Sequence, residues 1–486
     1  MFDVAIIGAG IIGSAVAMEL SKHSLKVVVI EKETDVANET TKANSGIIHA
    51  GYDPEPGTLM AKYNVVGCKM AKDICERLDV PYKQVGSLVL AFTPKDMTTI
   101  NKLYKRGIAN GVPSMKLLTA DNVSAIEPNV SSNVRGALLA ESAGIVSPFE
   151  YAVAMCENAV ENGAEVFLET EVIDIENDLE NKHFTIFTNN SKTSTIQARY
   201  IINAAGVWAD NIQNMVGESE FEIIPIKGEY YLMDKNQGTL ANHVLFQCPD
   251  EKGKGVLVSP TAHGNLIIGP NAEDSHNKHD LSITSDALDF VREAAKRTTD
   301  KIDYSQTIRN FSGLRATSDR NDFIIEFSKS TERFLNIAGI KSPGLSCAPA
   351  IAVDVVEMLR NDGLEFSPKK NIVTTRTRVR FVERSVEERQ KLIAQNSLYG
   401  RVICRCETVT EGEILDELHR PIVPTTIDAI KRRCNAGMGR CQGGFCSPRV
   451  LEIISRELNI NPIEVRQDKV GSYVLTGTTK GDEPND

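Results

Sequence analysis

The hydrophobic pattern is strongest at the two ends of the chain. Asp3-Val4-Ala5-Ile6-Ile7 is a short β-branched run with no polar alternation, the pattern of a strand buried on both faces of a parallel sheet. It runs into Gly8-Ala9-Gly10-Ile11-Ile12-Gly13 and then a helix-patterned stretch from Ser14 to Lys22. A second apolar run, Lys26 to Ile30, ends on Glu31. Strand, glycine turn, helix, strand and terminal acid in that order predict a dinucleotide-binding βαβ unit. Gly8 supplies the tight turn, Gly10 the close approach to a pyrophosphate at the helix start, and Gly13 the helix–strand contact. Glu31 is placed to accept hydrogen bonds from ribose hydroxyls. Whether the nucleotide is FAD or NAD is not decided by this fingerprint, which occurs once in the chain.

Between the ends the pattern is richer in strands. Glu229–Met233, Gly255–Pro260 and Leu266–Gly269 read as β, and Tyr200 to Ala209 reads as a buried strand ending on small residues. Such a strand either returns beside the first, as in flavoproteins with a two-dinucleotide fold, or is an ordinary core strand. Around residues 366–400 the composition shifts to a basic stretch, Arg376 to Arg384, and a polar helix to Gln395, read as a solvated connecting arm. Ser447-Pro448 opens a helix that runs to Leu458. The organisation expected is an interleaved oxidoreductase region over residues 1–365, a linker over 366–399, a cysteine unit over 400–465 and a tail over 466–486, with Gly477 to Asp486 disordered.

Composition narrows the class. The chain has 486 residues, a formal net charge of −11 and a pI near 5.4, which argue against nucleic acid or anionic membrane as a general partner. No apolar stretch approaches the ~20 residues of a membrane span. The structural pattern starts at once, leaving no room for a signal peptide, so a cytoplasmic location is expected, with thiols reduced.

Four of the 10 cysteines are crowded near the C-terminus as Cys404-Arg405-Cys406 and Cys441-Gln442-Gly443-Gly444-Phe445-Cys446. Two thiolate pairs on glycine-rich loops can close around iron, as a [2Fe–2S] cluster, or around zinc. Other segments carry chemistry. In Asn44-Ser45-Gly46-Ile47-Ile48-His49 the histidine suits proton abstraction from an alcohol, although lone histidines are more often structural. Lys252-Gly253-Lys254-Gly255 resembles a surface turn that could meet an anion. Arg315, in Gly313-Leu314-Arg315, is of the residue type preferred for phosphate or carboxylate, and equally of the type common on surfaces. Gly339-Ile340-Lys341-Ser342-Pro343-Gly344-Leu345 precedes an apolar helix whose N-terminus can face a negative partner.

These strings resemble a known family. ANSGIIHAG with DPEPGTLMAKYN, then GKGVLVSP, NDFIIE and GIKSPGLSCAPAI, resemble D-amino-acid-oxidase-type flavoproteins, and within them FAD-dependent glycerol-3-phosphate oxidases and dehydrogenases. CRCETVTEGEI with GMGRCQGGFC is similar to the bacterioferritin-associated-ferredoxin-like domain appended to anaerobic glycerol-3-phosphate dehydrogenase A subunits. The resemblance implies an α/β (α+β) fold, with a Rossmann-like FAD-binding domain interleaved with a β-rich substrate domain and a small C-terminal iron–sulfur domain. It implies FAD held by Gly8, Gly10, Ile12, Gly13, Glu31 and Lys32, with Thr40, Thr41, Asn44, Ser45 and Gly46 nearer the ring. Val172 would line the adenine pocket, Gly206 and Trp208 would close over the cofactor, and Gly339, Lys341, Gly344 and Leu345 would meet the ring edge.

It further implies His49 as the catalytic base, with Ser45, Lys254, Arg315 and Ser342 binding glycerol 3-phosphate. Cys404, Cys406, Cys441 and Cys446 would ligate the [2Fe–2S] cluster, with Cys434 as an extra thiol. The electron acceptor would be a second flavoprotein or an iron–sulfur subunit. Two other functions compete: oxidation of a 2-hydroxy acid such as 2-hydroxyglutarate or of an amino acid, with Arg315 on a carboxylate, and a non-catalytic electron-transfer subunit.

Overall fold

The computed structural model describes residues 1–249 and 255–477. Lys254 therefore lies outside the described residues, as does the end of the tail, 478–486. The chain forms two compact units. One comprises Met1–Ile30, Ala37–Phe167 and Glu171–Arg376; the other comprises Glu31–Val36, Leu168–Thr170 and Thr377–Asp486.

Among the described residues the larger unit is built on two large sheets and a small one of 3 strands. In the first, of 8 strands, Phe2–Ile7 lies parallel between Val27–Ile30 and Thr195–Asn203, with Val4 opposite Val27 on one side and Tyr200 on the other. The Tyr200 run thus does return beside the first strand. Phe334–Ala338 adds a further parallel neighbour to Thr195–Asn203. Central strands of this kind are flanked on both faces, and Val4, Ala5, Ile6, Val28, Val29, Ile201 and Ile202 are accordingly buried. Helix Ile11–Leu20 packs against helices Pro148–Glu161 and Gly344–Asn361, and Gly344–Asn361 also packs on Leu59–Arg77.

Two glycines show why the first turn is spelled as it is. Gly8 has φ +104°, and a Cβ there would lie 2.6 Å from the Ala204 carbonyl oxygen. A Cβ on Gly13 would lie 1.9 Å from the Gly8 oxygen, so helix and turn could not close.

The second sheet, of 9 strands, carries the middle of the sequence. Ile226–Met233 pairs antiparallel with Leu266–Gly269 and with Thr307–Arg315, and Leu257–Pro260 joins Leu266–Gly269 to Val244–Gln247. The register sets Ile226 opposite Arg315 and Tyr230 opposite Phe311, which fixes the end of this sheet where Arg315 emerges.

The smaller unit has helices Glu411–Leu418, Ile427–Cys434 and Ser447–Leu458 around Ile414, Ile430, Val450 and Ile454, while helix Val386–Gln395 buries no residue. Its interior also holds charge. The Asp35 carboxylate receives hydrogen bonds from Arg433 through both terminal nitrogens at 2.8 Å, and from Arg432 at 3.1 Å. All three residues are buried, and Arg432 also reaches Asp468 at 2.8 Å. Burial alone would raise the Asp35 pKa, but Arg433 and then Arg432 hold it below the usual carboxylate range. Arg466 makes a bidentate pair with Glu169 at 2.7 and 2.8 Å. The basic stretch from Arg376 is not wholly a solvated arm: Arg378 is buried on Glu417 at 2.7 Å, and in the larger unit Arg376 is buried on Glu157 at 2.7 Å. Paired carboxylates make that burial tolerable.

Among the described residues no helix is long and apolar enough to cross a membrane.

Candidate functional site

The nucleotide cradle is assembled by backbone. Gly8 N–H donates to the Ile30 carbonyl at 2.8 Å, and Ala204 N–H to the Ile7 carbonyl at 2.9 Å, so three strand ends meet at one turn. Helix Ile11–Leu20 starts from Gly10 with no side-chain cap and no acid in its first turn, and Ile12 is buried within that turn. A Cβ on Gly10 would touch only the Thr41 hydroxyl, at 3.3 Å. An open helix N-terminus of this kind suits a pyrophosphate, so the residues present fit FAD. Glu31 and Lys32 follow directly after Ile30; Glu31 is buried, and its carboxylate accepts from Glu33 N–H at 2.9 Å. Val172 is buried at the start of strand Val172–Asp178. Gly206 and Trp208 form a short turn after strand Thr195–Asn203, with the indole against the His279 ring at 4.7 Å.

The loop that follows is locked by its own side chains. Thr41 Oγ1 accepts from Ile11 N–H at 2.9 Å, and Thr40 Oγ1 donates to the Leu314 carbonyl at 2.8 Å. Asn44 donates to the Thr40 and Thr41 carbonyls and accepts from Gly46 N–H at 2.9 Å. Beyond this loop opens a cavity of about 710 Å³ within the larger unit. Thr40, Thr41, Asn44 and Ser45 line one side of it, and Lys341, Ser342, Gly344 and Leu345 line another. His49 and Arg315 also line it. Gly339, with φ +64°, lies just before the Lys341 turn and is not part of the lining.

His49 is held from several sides. Its backbone N–H donates to Ser346 Oγ at 2.7 Å, and its carbonyl accepts from the Asn64 amide at 2.6 Å. The imidazole Nε2 lies 3.2 Å from Ser342 Oγ, and the ring stacks on Phe246 at 5.8 Å. A half-buried imidazole beside a hydroxyl and an aromatic wall can exchange a proton with an alcohol bound in the cavity.

Arg315 is equally confined. It donates to the Asn271 carbonyl at 3.2 Å and hydrogen-bonds the buried Tyr230 phenol. Burial pushes the Tyr230 pKa up, and Arg315 partly opposes that rise. The guanidinium passes over Gly228, where a Cβ would lie 2.6 Å from Nη2. Gly228, Tyr230, Phe246, Asn271 and Ser346 were not singled out by sequence, because on strands and helix starts they read as ordinary core positions. The one available signal is Gly228 itself, a glycine inside a strand, which marks a close approach.

In the smaller unit the four cysteines group two and two. Cys406 Sγ lies 3.7 Å from Cys441 Sγ, and Cys404 hydrogen-bonds Cys446. That bond, helped by the N–H groups of Gly437 and Glu407, brings the Cys404 pKa down to about 6 and pushes Cys446 up. Among the described residues no three His, Cys, Asp or Glu side chains gather as a single-ion site. Two pairs are what a [2Fe–2S] cluster takes, two thiolates on each iron, so the residues present fit that group. Cys434 is buried with its thiol on the Ile430 carbonyl at 3.4 Å, and burial pushes its pKa up.

Comparison with known proteins agrees with both cradles. Residues 3–358 match the family of FAD dependent oxidoreductases, and residues 402–456 match the BFD-like [2Fe-2S] binding domain. The chain belongs to the FAD dependent oxidoreductase family, as an enzyme whose cofactors are FAD and a [2Fe–2S] cluster. More particularly, it is 51% identical over 483 residues to a glycerol 3-phosphate dehydrogenase of Caloramator mitchellensis, covering 99% of this chain and 100% of that protein. It is 34% identical over 363 residues to a glycerol 3-phosphate oxidase of Mycoplasma genitalium, covering 74% of this chain and 94% of that one. The dithionite-reduced, FAD-bound L-alpha-glycerophosphate oxidase of Mycoplasma pneumoniae superposes with a TM-score of 0.73 at 33% identity, over 77% of this chain and 98% of that one.

Proposed function

We propose that this enzyme oxidises glycerol 3-phosphate to dihydroxyacetone phosphate and sends the electrons on, one at a time, to a partner protein. The observation that carries the reading is the cavity in which His49, Ser342 and Arg315 share walls with the cofactor loop. Bound in this cradle, FAD supplies a hydride acceptor at N5, and the [2Fe–2S] cluster supplies a one-electron carrier. Arg315 binds the phosphate through charge-assisted hydrogen bonds, its fork aimed by Tyr230 and the Asn271 carbonyl. Lys254 is assigned to the same phosphate. Ser342 and Ser45 hydrogen-bond the substrate, and Ser342 also orients the imidazole. His49 Nε2 takes the C2 hydroxyl proton as the C2–H bond breaks, and Phe246 keeps the ring in line with that hydroxyl. Gly8, Gly10, Ile12, Gly13, Glu31 and Lys32 hold the adenosine diphosphate of FAD. Val172, Gly206 and Trp208 enclose its adenosine half, and Thr40, Thr41, Asn44, Gly46, Gly339, Lys341, Gly344 and Leu345 hold the ring. Cys404, Cys406, Cys441 and Cys446 ligate the cluster.

Glycerol 3-phosphate and 2-hydroxyglutarate, added in turn to the oxidised holoprotein without air, separate the substrate classes. Rapid bleaching of the flavin by the first alone supports the reading. Bleaching by the second alone reassigns Arg315 to a carboxylate. Bleaching by neither ends the proposal, and a further trial with proline then separates an amino-acid dehydrogenase from an electron-transfer subunit.

A further inference from the structure

The cysteine-bearing face of the smaller unit has an unusual surface. Phe445, between Cys441 and Cys446, is 84% exposed, although a phenyl ring gains by burial. Its backbone N–H bonds the Cys441 thiol, which holds residue 445 beside that cysteine. The two cysteine loops touch: a Cβ on Gly439 would lie 2.3 Å from the Cys406 Cβ. That contact brings Arg405 and Arg440, each next in sequence to one of these residues, to the same mouth, and both are exposed. Arg449, exposed in the first turn of helix Ser447–Leu458, adds a third cation. The nearby acids are Glu407, which approaches Gly439, and Glu452, which pairs with Arg449 at 2.7 Å. Three arginines against two glutamates leave this mouth positive on a chain whose net charge is −11. Cys406 itself is exposed, so a cluster held by these thiolates would be reached from this side.

We propose that Phe445, ringed by Arg405, Arg440 and Arg449, is the docking surface for an acidic one-electron carrier protein. The inference rests on the reading of the cluster as the exit for electrons and gives that exit a recognition chemistry. Aromatic and arginine side chains are enriched in protein interfaces, and redox encounters bury less than about 1,200 Å², so one phenyl with a cationic rim is a sufficient footprint. The rim steers an acidic partner, and the phenyl supplies a short-range anchor at the point where electrons leave. In each transfer the protein's [2Fe–2S] centre is oxidised by one electron and the carrier is reduced by one, with no bond made and no proton moved.

The test uses full-length holoprotein and needs no substrate, so its outcome is separate from that of the glycerol 3-phosphate reading. Oxidised protein is titrated calorimetrically with an acidic flavodoxin as probe. Dithionite-reduced, desalted protein is mixed separately with ferricyanide and with hexaammineruthenium(III). The double variant Arg405→Glu/Arg449→Glu should weaken flavodoxin binding about 10-fold or more at low ionic strength, with the difference shrinking in high salt. It should also slow oxidation by the anionic ferricyanide and speed oxidation by the cationic ruthenium complex. Phe445→Ser should weaken flavodoxin binding about 10-fold while leaving both small acceptors unchanged. An intact reduced-cluster spectrum certifies each variant, and Arg405→Gln replaces the double variant if it loses the cluster. Failure of flavodoxin to bind the unaltered protein, or binding that none of the variants moves, overturns the proposal. So does retention on phosphatidylglycerol vesicles that Phe445→Ser abolishes without changing flavodoxin binding, which would assign the patch to a lipid surface.

Discussion

The two redox centres of this chain are built on opposite principles. The flavin-side cavity, about 710 Å³, lies within the larger unit, and His49 and Arg315 in its wall are each braced by neighbouring groups. The cysteine centre lies at a surface, with Cys406 exposed, on a small unit whose interior includes Asp35, Arg432, Arg433, Arg378 and Glu417. The difference suits the chemistry proposed for each centre. Moving a hydride and a proton together needs an oriented substrate and excluded water. Moving single electrons needs only a short path to the partner, so exposure there is useful.

The largest effect expected is on the exposed side. Cys441→Ser should abolish the paramagnetic signal of the reduced cluster while FAD remains bound and reducible; stoichiometric zinc without iron or labile sulfide in the unaltered protein would contradict the assignment. On the enclosed side, His49→Ala should slow flavin reduction by roughly 10²–10⁴-fold with FAD retained, read by stopped-flow absorbance. Loss of FAD instead would make His49 a structural residue.

The charged interior gives the next effect. Asp35→Ala leaves two buried guanidinium groups without their shared carboxylate and should cost the smaller unit about 3–5 kcal/mol, measured by chemical denaturation of the holoprotein. Because the folded pKa of Asp35 is lowered, its contribution is complete above its unfolded pKa, at about pH 5 and higher, and is lost as pH falls through the folded value. Asp35→Asn should therefore flatten the acid limb of the stability profile. An unchanged acid limb would show that the pair adds nothing to folding.

Arg315→Ala should raise KM for glycerol 3-phosphate roughly 10–150-fold with little loss of kcat, the signature of lost charge-assisted hydrogen bonds worth about 1.5–3 kcal/mol each. Tyr230→Phe, which removes only the phenol that orients Arg315, should raise KM by the smaller factor expected of about 0.5–1.5 kcal/mol. Equal effects from both variants would mean that Tyr230 touches the substrate itself.

The same contrast governs what sequence could reveal. The Phe2–Ile7 and Val27–Ile30 strands, the glycine turn and the returning Tyr200 run were readable because burial on both faces leaves an unbroken apolar string. The four cysteines were readable because they fall in two close-spaced pairs along the chain, although the structure brings Cys406 to Cys441 and Cys404 to Cys446. Tyr230 and Phe246 were not, since an aromatic on a strand looks the same whether it braces a site or fills a core. Nor was the membership of Glu31–Val36 and Leu168–Thr170 in the smaller unit. Nor was the burial of Arg432 and Arg433, which only Asp35, distant in sequence, makes possible.

One anaerobic experiment addresses the central claim. Oxidised holoprotein is mixed with glycerol 3-phosphate, and flavin absorbance and the reduced-cluster paramagnetic signal are followed together. The account predicts that the flavin bleaches and the cluster signal then grows, and that with His49→Ala both are slowed by the same factor. Flavin that stays oxidised, or flavin that bleaches while the cluster never gains an electron, would contradict it.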